Sequence, residues 1–164
     1  MIKEIIELCQ YNSWANRRMI TAASELSGEE LKKDLRSSFP SVRDTFQHIL
    51  SGEWLWFSRV KGISPTQFPA EWDSSTFPEL NNHWEKLDTE FKSFVASLND
   101  ELLNRDVAYL SMDGKPFSNP AHHLLRHLVN HSTYHRGQMT TLIRQLGGKP
   151  ASTDLLYFYR EKKK

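Results

Sequence analysis

Histidines are concentrated in one late segment of this chain. Five of the seven histidines lie there, namely His122, His123, His127, His131 and His135. In a helix, side chains four residues apart project from successive turns of one face, and two imidazoles placed in this way can bind the same Zn²⁺, Ni²⁺ or Fe²⁺ ion. Two overlapping pairs have this spacing, His127 with His131 and His131 with His135. The segment is therefore a candidate metal site.

The apolar residues of the same segment indicate which histidines face inward. On a helical wheel with about 100° per residue, His135 falls within the apolar arc, His131 at its edge and His127 about 100° from its centre. The arc is formed by Leu124, Leu128, Met139, Leu142 and Leu146. We therefore predict that His131 and His135 face the interior, where their ring nitrogens need either hydrogen-bonding neighbours or a metal ion.

A third ligand would have to come from another part of the chain, because two histidines seldom make a stable metal site. The candidates are His48 and His83, and spacing alone does not choose between them. Two interpretations of His127 are possible. It could support the site from beside it, or it could be a packing partner of Tyr134. Three neutral histidines would leave one or more coordination positions free, which is typical of catalytic metal sites.

The elements that would position these groups are mainly helices. Apolar residues recur at intervals of three and four in long segments, which run from Ile2 to Leu26, from Ser41 to about Val60, from Glu79 to Leu98 and from Asn119 to about Leu146. Ser41 is a suitable N-cap for the second helix. For the fourth helix we predict Asn119 at the N-cap, Pro120 at the first helical position and Gly147-Gly148 as the stop.

Smaller elements complete the predicted fold. Asp113-Gly114 favours a tight turn between two short β-prone runs, so a hairpin is predicted over residues 107–117. The segment from Ile63 to Pro78 is predicted to be a loop packed on the bundle, and Thr153 to Arg160 a short helix. The predicted fold class is all-α, a four-helix bundle with a short β-hairpin before the last long helix and a short C-terminal helix.

Composition restricts the classes of function. A length of 164 residues fits a single domain, over residues 1–164. The 21 lysines and arginines almost balance the 20 aspartates and glutamates, so the protein has no large net charge that would attract nucleic acid or an anionic membrane. The single cysteine, Cys9, is read as a small buried hydrophobe in a reducing compartment. The charged N-terminal residues and the absence of a long apolar run predict a soluble, cytoplasmic protein without nucleic-acid or membrane partners.

Three segments of the chain together resemble a known family. They are Tyr11-Asn12-Ser13-Trp14-Ala15-Asn16, then Phe46-Gln47-His48-Ile49-Leu50 with Gly52-Glu53-Trp54, and finally the run from His127 to Gln138. This pattern spans nearly the whole chain and is similar to that of the DinB-like metal-binding four-helix bundles, which are unrelated to the DNA polymerase of the same name. By this resemblance, His48, His131 and His135 are the three metal ligands.

The resemblance also implies a chemistry. Some members of the family are transferases that use a low-molecular-weight thiol, such as bacillithiol, mycothiol or glutathione, and others are isomerases that depend on such a thiol. For this chain the resemblance implies one divalent ion, zinc or nickel, a small-molecule substrate and a homodimer. The function expected is a metal-dependent thiol S-transferase or a hydrolase-like enzyme, and the alternative is a non-enzymatic metal-binding protein of a stress response.

The three residues after His135 match the family pattern, and their roles stay open. Arg136 would either pair with a carboxylate or take part in catalysis. Gly137 would allow two helices to approach closely, and Gln138 would hydrogen-bond to a ligand or to water. The sequence alone assigns no catalytic residue.

Overall fold

The computed structural model describes residues 1–163 of the protein. This part of the chain contains helices α1 (Ile2–Ala23), α2 (Gly28–Lys32), α3 (Val42–Val60), α4 (Glu71–Ser74), α5 (Phe77–Ala96), α6 (Asp100–Asn104), α7 (Ala121–Gln145) and α8 (Leu155–Glu161), and strands β1 (Asp106–Leu110) and β2 (Pro116–Pro120). The long helices α1, α3, α5 and α7 correspond to the four predicted helices. The predicted fold class, with its hairpin and short C-terminal helix, is confirmed.

Two of the long helices begin where the local sequence satisfies their first backbone N–H groups. Ser41 is the N-cap of α3, as predicted, and its hydroxyl accepts a hydrogen bond from the Asp44 amide at 3.1 Å. Thr76 and Glu79 form a capping box at the start of α5, in which the Thr76 amide donates to the Glu79 carboxylate at 2.6 Å. These bonds replace partners that the first turn of a helix lacks.

The predicted start of the fourth long helix was wrong by one residue. Asn119 belongs to β2 and caps no helix; its side-chain oxygen accepts a hydrogen bond from the Tyr109 hydroxyl at 2.9 Å. Pro120 takes the N-cap position, without a side-chain bond, and α7 begins at Ala121. Strand pairing continues through Pro120, opposite Asp106, and this pairing delays the helix. The predicted stop is confirmed, because Gly147 follows α7 at φ 80°.

The hairpin lies directly before α7 and is tied to it. β1 and β2 pair antiparallel from Asp106 opposite Pro120 to Leu110 opposite Pro116. Gly114 lies in the turn at φ 81°, a conformation that glycine adopts without steric cost. The Ala121 amide donates to the Arg105 carbonyl at 3.0 Å. The first turn of α7 is therefore held by the chain that leads into β1.

Three short helices were not predicted from the sequence. They are α2, α4 and α6, each of four or five residues, which is too short for a hydrophobic period to show. α2 has a capping box formed by Ser27 and Glu30. α4 lies in the segment predicted to be a packed loop, and its Trp72 is buried whereas Phe68 is exposed.

The core lies between the long helices. Trp84, Phe46 and Phe57 are among its largest fully buried side chains. α7 packs along α3 on one side and against α1 on another, so residues on its inner face meet both helices. No helix within residues 1–163 is long and apolar enough to cross a membrane.

Candidate metal centre

Three histidines from two helices converge on one point. His48 lies on α3, and His131 and His135 lie on successive turns of α7. The Nε2 atom of His48 is 3.1 Å from Nε2 of His135 and also 3.1 Å from Nε2 of His131. We call these three residues the histidine cluster. His83, the other candidate from the sequence, lies on α5 with its ring 6.0 Å from that of Trp72 and is not part of the cluster.

A glycine on α3 makes room for the histidine cluster. Gly52 lies one turn after His48, directly beneath the ring of His131. A Cβ atom added at Gly52 would lie 2.7 Å from Nδ1 of His131 and closer still to its Cε1 atom, nearer than Cβ atoms come to other atoms. Because the imidazole occupies this space, the absence of a side chain at residue 52 allows His131 to reach His48.

The ring of His135 is oriented by the next turn of its own helix. Its Nδ1 atom donates a hydrogen bond to the Gln138 side-chain oxygen at 2.7 Å. In a neutral ring this bond places the proton on Nδ1, so that the lone pair of Nε2 faces the other two histidines. Nδ1 of His131 is buried and has no hydrogen-bond partner in the described chain. Gln138 thus forms a hydrogen bond with one member of the histidine cluster.

Two histidines of the cluster are held in the neutral form. Burial, followed by the nearby His135 imidazole, lowers the pKa of His48 to about 4. The same two causes, with smaller contributions from His48 and His127, lower the pKa of His131 to about 3. Both rings are therefore unprotonated near pH 7. A neutral imidazole is the form that binds a divalent ion, so the donor set fits such an ion.

Aromatic rings flank the histidine cluster. Phe39 stacks on the His48 ring at a centroid distance of 3.9 Å and contacts His135 edge-on at 5.4 Å. Tyr134 also contacts His135, with the two rings nearly perpendicular and their centroids 5.0 Å apart, and it is itself exposed. Phe39 lies in the segment between α2 and α3, in which the Leu35 amide donates to the Pro40 carbonyl at 2.8 Å. This contact could not be predicted from the sequence, because a residue in a loop belongs to no periodic pattern.

His127 is a neighbour of the histidine cluster and not a member of it. Its ring packs edge-on against Trp56 on α3 at 4.4 Å and lies 6.1 Å from the ring of His131. The packing expected for His127 is present, although its partner is Trp56 and not Tyr134. The His127 ring thereby extends the row of histidines along α7 toward the hairpin.

A buried carboxylate lies behind the histidine cluster. Glu53, adjacent to Gly52, accepts hydrogen bonds from the side chains of Asn16 at 2.6 Å, Trp84 at 2.9 Å and Ser132 at 2.9 Å, and also from Asn12. Burial raises the pKa of Glu53, and these donated bonds oppose the rise. In the sequence, Glu53 was recognisable only as part of the segment that resembles the family. The position of a glutamate among inward-facing residues of this helix could have indicated a buried polar site.

Arg136 completes this polar network. It is 1% exposed, and its Nη1 group donates to the side-chain oxygens of Asn12 and Asn16, each at 2.7 Å. Because the same two asparagines donate to Glu53, they bridge the guanidinium and the carboxylate. Arg136 therefore connects α7 to α1. At Gly137 an added Cβ would meet nothing within 4 Å, so a close helix approach does not explain that glycine.

The cysteine has no part in the histidine cluster. Cys9 is 1% exposed in the core, as predicted for a small buried hydrophobe. Burial, with a smaller contribution from Glu53, raises the pKa of its thiol to about 12. Because the thiolate is the nucleophilic form, Cys9 is inert near pH 7.

The fold and the histidine cluster define a class of protein, a four-helix bundle that gathers three imidazoles between its second and fourth long helices. The model of the DinB family matches residues 1–164, and the chain belongs to that family. Protein DinB of Bacillus subtilis (strain 168) is 27% identical over 164 residues, covering 95% of this chain and 94% of that protein. The uncharacterized protein YizA of the same organism is 21% identical over 154 residues, covering 93% of this chain and 94% of YizA.

Solved structures show the same fold. YfiT from Bacillus subtilis has a TM-score of 0.68 at 14% identity and covers 88% of this chain and 89% of its own. A DinB-like protein from Bacillus cereus has a TM-score of 0.66 at 22% identity and covers 87% of this chain and 91% of its own. YfiT is described as a probable metal-dependent hydrolase with an unusual four-helix bundle topology. At these identities the likeness concerns the fold alone.

Proposed function

We propose that this protein binds one divalent metal ion through the Nε2 atoms of His48, His131 and His135. The observation that carries the proposal is the convergence of these atoms, with Nε2 of His48 3.1 Å from Nε2 of each of the other two. Metal–nitrogen bonds of about 2.0–2.1 Å in a tetrahedral site keep neighbouring ligand atoms only slightly farther apart. The low pKa values of His48 and His131 also fit, because a neutral imidazole is the form that binds a divalent ion.

The residues around the ligands have distinct tasks in this proposal. Gln138 fixes the tautomer of His135, and Gly52 leaves the space that His131 occupies. Phe39 and Tyr134 limit the access of water to the His48 and His135 rings. When bound to three neutral ligands, a divalent ion retains free coordination positions and lowers the pKa of a thiol or water that occupies one.

The reaction that we propose is transfer of a low-molecular-weight thiol to an electrophilic small molecule. A C–S bond would form as a leaving group such as chloride departs, with the thiol proton released to solvent, or as an epoxide C–O bond opens and its oxygen takes up that proton. Two arguments support it. The family resemblance described above includes thiol-dependent transferases, and the only cysteine of this chain is inert because the pKa of its thiol is about 12. A thiol chemistry at the histidine cluster would therefore use a sulfur atom supplied by a cosubstrate.

Hydrolysis is the second candidate reaction. The description of YfiT as a probable metal-dependent hydrolase favours it, although YfiT shares the fold with this chain at only 14% identity. The same three histidines would serve either reaction, because the nucleophile differs only in being a water instead of a thiol. The two reactions are distinguished by their dependence on added thiol.

The first test is elemental analysis of the native protein, purified without a metal-binding tag. We expect about one divalent ion per chain, lost in His48→Ala and in His135→Ala. His83→Ala is the matched control, because His83 lies outside the histidine cluster, and it is expected to retain the ion. No metal in the native protein after addition of zinc or nickel would contradict the proposal.

The second test separates the candidate reactions. Metal-loaded protein is incubated with a chloronitrobenzene or an epoxide, with and without bacillithiol, mycothiol or glutathione, and with an activated ester. Conjugation that requires both thiol and His48 supports the transferase. Ester cleavage without thiol, lost in His48→Ala, supports the hydrolase. Metal binding without either reaction would support the non-enzymatic alternative.

A further inference from the structure

Arg59, near the end of α3, is a buried cation without a counter-charge. It is 4% exposed, and its Nη2 group donates to the Leu110 carbonyl at 3.0 Å. Its Nε group is buried and has no acceptor among residues 1–163. Within residues 1–163 no aspartate or glutamate forms an ion pair with it. Burying an unpaired charge is costly, so the bond to Leu110 alone does not account for an arginine here.

Two aromatic rings flank the guanidinium of Arg59. Its central carbon lies 4.4 Å from the centroid of the Trp56 ring and 5.1 Å from that of Tyr109 on β1. Such contacts stabilise the cation through its flat faces. They leave the edge of the fork, where Nη1 and the second hydrogen of Nη2 can donate two parallel hydrogen bonds to a carboxylate.

A continuous row of side chains joins Arg59 to the histidine cluster. On α3, His48, Gly52, Trp56 and Arg59 follow one another at intervals of four, four and three residues, and therefore share one face. On α7, His131 lies over Gly52 and His127 packs on Trp56 at 4.4 Å. The ring of His127 is 6.1 Å from that of His131. Residues of α3 and α7 thus form one row of neighbours that extends from His48 to the guanidinium of Arg59.

We infer that Arg59 binds the carboxylate of an elongated substrate or thiol cosubstrate whose reacting end lies at His48, His131 and His135. Trp56 and Tyr109 position the guanidinium, and His127 lines the path between the two ends. This inference rests on the proposed function for the reacting end only. The carboxylate subsite itself follows from the unpaired guanidinium and its aromatic neighbours.

The carboxylate subsite is tested first in metal-free protein, so that the result does not depend on the histidine cluster. Hexanoate and hexanol serve as a charged and a neutral probe of equal length, and the readout is the indole N–H resonance of Trp56, assigned with Trp56→Phe. We expect hexanoate to shift this resonance and hexanol to leave it unchanged, and Arg59→Gln to abolish the difference. Equal responses to the two probes would overturn the inference.

A matched arginine serves as the control. Arg18 also lies over a tryptophan, with its central carbon 4.9 Å from the Trp14 ring, but it forms an ion pair with Glu161 at 3.2 Å. Arg18→Gln is expected to keep the response of Trp56 to hexanoate. If Arg59→Gln unfolds, Arg59→Lys retains the charge without the planar fork, and a response as large as that of the wild type would contradict the inference.

The connection to the histidine cluster is tested with Co²⁺-loaded protein. The probes are ω-mercaptocarboxylates and ω-mercaptoalcohols of matched chain lengths, and the readout is the absorption band of a thiolate bound to cobalt. At one chain length we expect the carboxylate to bind about tenfold more tightly than the alcohol, and Arg59→Gln to reduce its affinity to that of the alcohol.

The outcomes of the two tests are separable. Failure of cobalt to bind would contradict the proposed function, while the test in metal-free protein would still decide the carboxylate subsite. Cobalt and thiol binding without any preference for the carboxylate would leave the proposed function intact and overturn the inference. A response to hexanoate without a preference in the cobalt series would overturn the connection between Arg59 and the histidine cluster.

Discussion

Two glycines on facing helices differ in what surrounds them. Gly52 lies beneath the His131 ring, whereas an added Cβ at Gly137 would meet nothing within 4 Å. We predict that Gly52→Ala displaces His131, abolishes metal binding and destabilises the protein by about 1–3 kcal/mol, as overpacking typically does. Elemental analysis and chemical denaturation measure the two effects.

Gly137→Ala is the control for this prediction. Alanine has a higher helix propensity than glycine, so it is expected to retain the metal and to stabilise the protein by up to about 1 kcal/mol. Normal metal content in Gly52→Ala would show that His131 can move aside, and would remove the reason given for the glycine at residue 52.

Gln138 contributes to the histidine cluster through one hydrogen bond. In Gln138→Leu, Nδ1 of His135 loses its acceptor, so the imidazole is free to rotate or to change tautomer. We expect the affinity for Zn²⁺ to fall about 10–100-fold, the usual effect of removing a partner that orients a ligand. Competition with a chromophoric chelator measures the affinity. Gln138→Glu retains an acceptor and is expected to bind zinc at least as well as the wild type.

The sequence predicted some of these residues and not others, for a physical reason. Helical spacing placed His131 and His135 on the inner face, and the structure has His135 buried and His131 half-buried there. The same spacing could not choose between His48 and His83; the family resemblance did so. The contacts of Gly52 and Phe39 depend on the rings of another helix or loop, and periodicity within one element contains no such information.

At the scale of the elements, a polar network links the long helices behind the histidine cluster. Glu53 on α3 accepts hydrogen bonds from α1, α5 and α7, and Arg136 on α7 donates to the same asparagines of α1. Each polar group therefore fixes the position of one helix relative to another. We infer that the network keeps His48 in register with the histidines of α7.

Removal of the cation from this network tests its contribution. In Arg136→Met, the oxygens of Asn12 and Asn16 lose their donor and Glu53 loses its nearby positive charge. We expect a destabilisation of about 3–5 kcal/mol, the range for breaking a buried charge pair, measured by urea denaturation. Arg144→Met, at an exposed site on the last turn of the same helix, is expected to change the stability by less than about 0.5 kcal/mol. Equal stabilities of the two variants would contradict this role.

The elements themselves were predicted to different degrees. Long helices and the hairpin were predictable because they repeat an apolar pattern or contain a turn dipeptide such as Asp113-Gly114. Asn119 was assigned to a cap because asparagine suits that position, but its side chain bonds to Tyr109 across the hairpin. The competing strand contact was not visible in the local sequence. Helices of four or five residues, such as α4, contain too few turns to show a period.

At the scale of the whole molecule, a metal ion at the histidine cluster would join α3 to α7 and so stabilise the folded state. An ion that binds only the folded protein adds about 2.7 kcal/mol at a free concentration of about 100 times Kd. For a chain of this size we expect Tm to rise by about 5–10 °C on addition of zinc. Differential scanning calorimetry, with and without a chelator, measures the shift.

Two histidine variants make this prediction specific. His48→Ala removes the ligand from α3, so the ion can no longer join the two helices, and the expected rise in Tm is lost. His83→Ala changes a histidine outside the cluster and is expected to show the full rise. A similar rise in all three proteins would indicate zinc bound elsewhere on the surface. The absence of any rise in the native protein would mean that zinc does not bind at the histidine cluster, since a ligand that binds only the folded state must raise Tm.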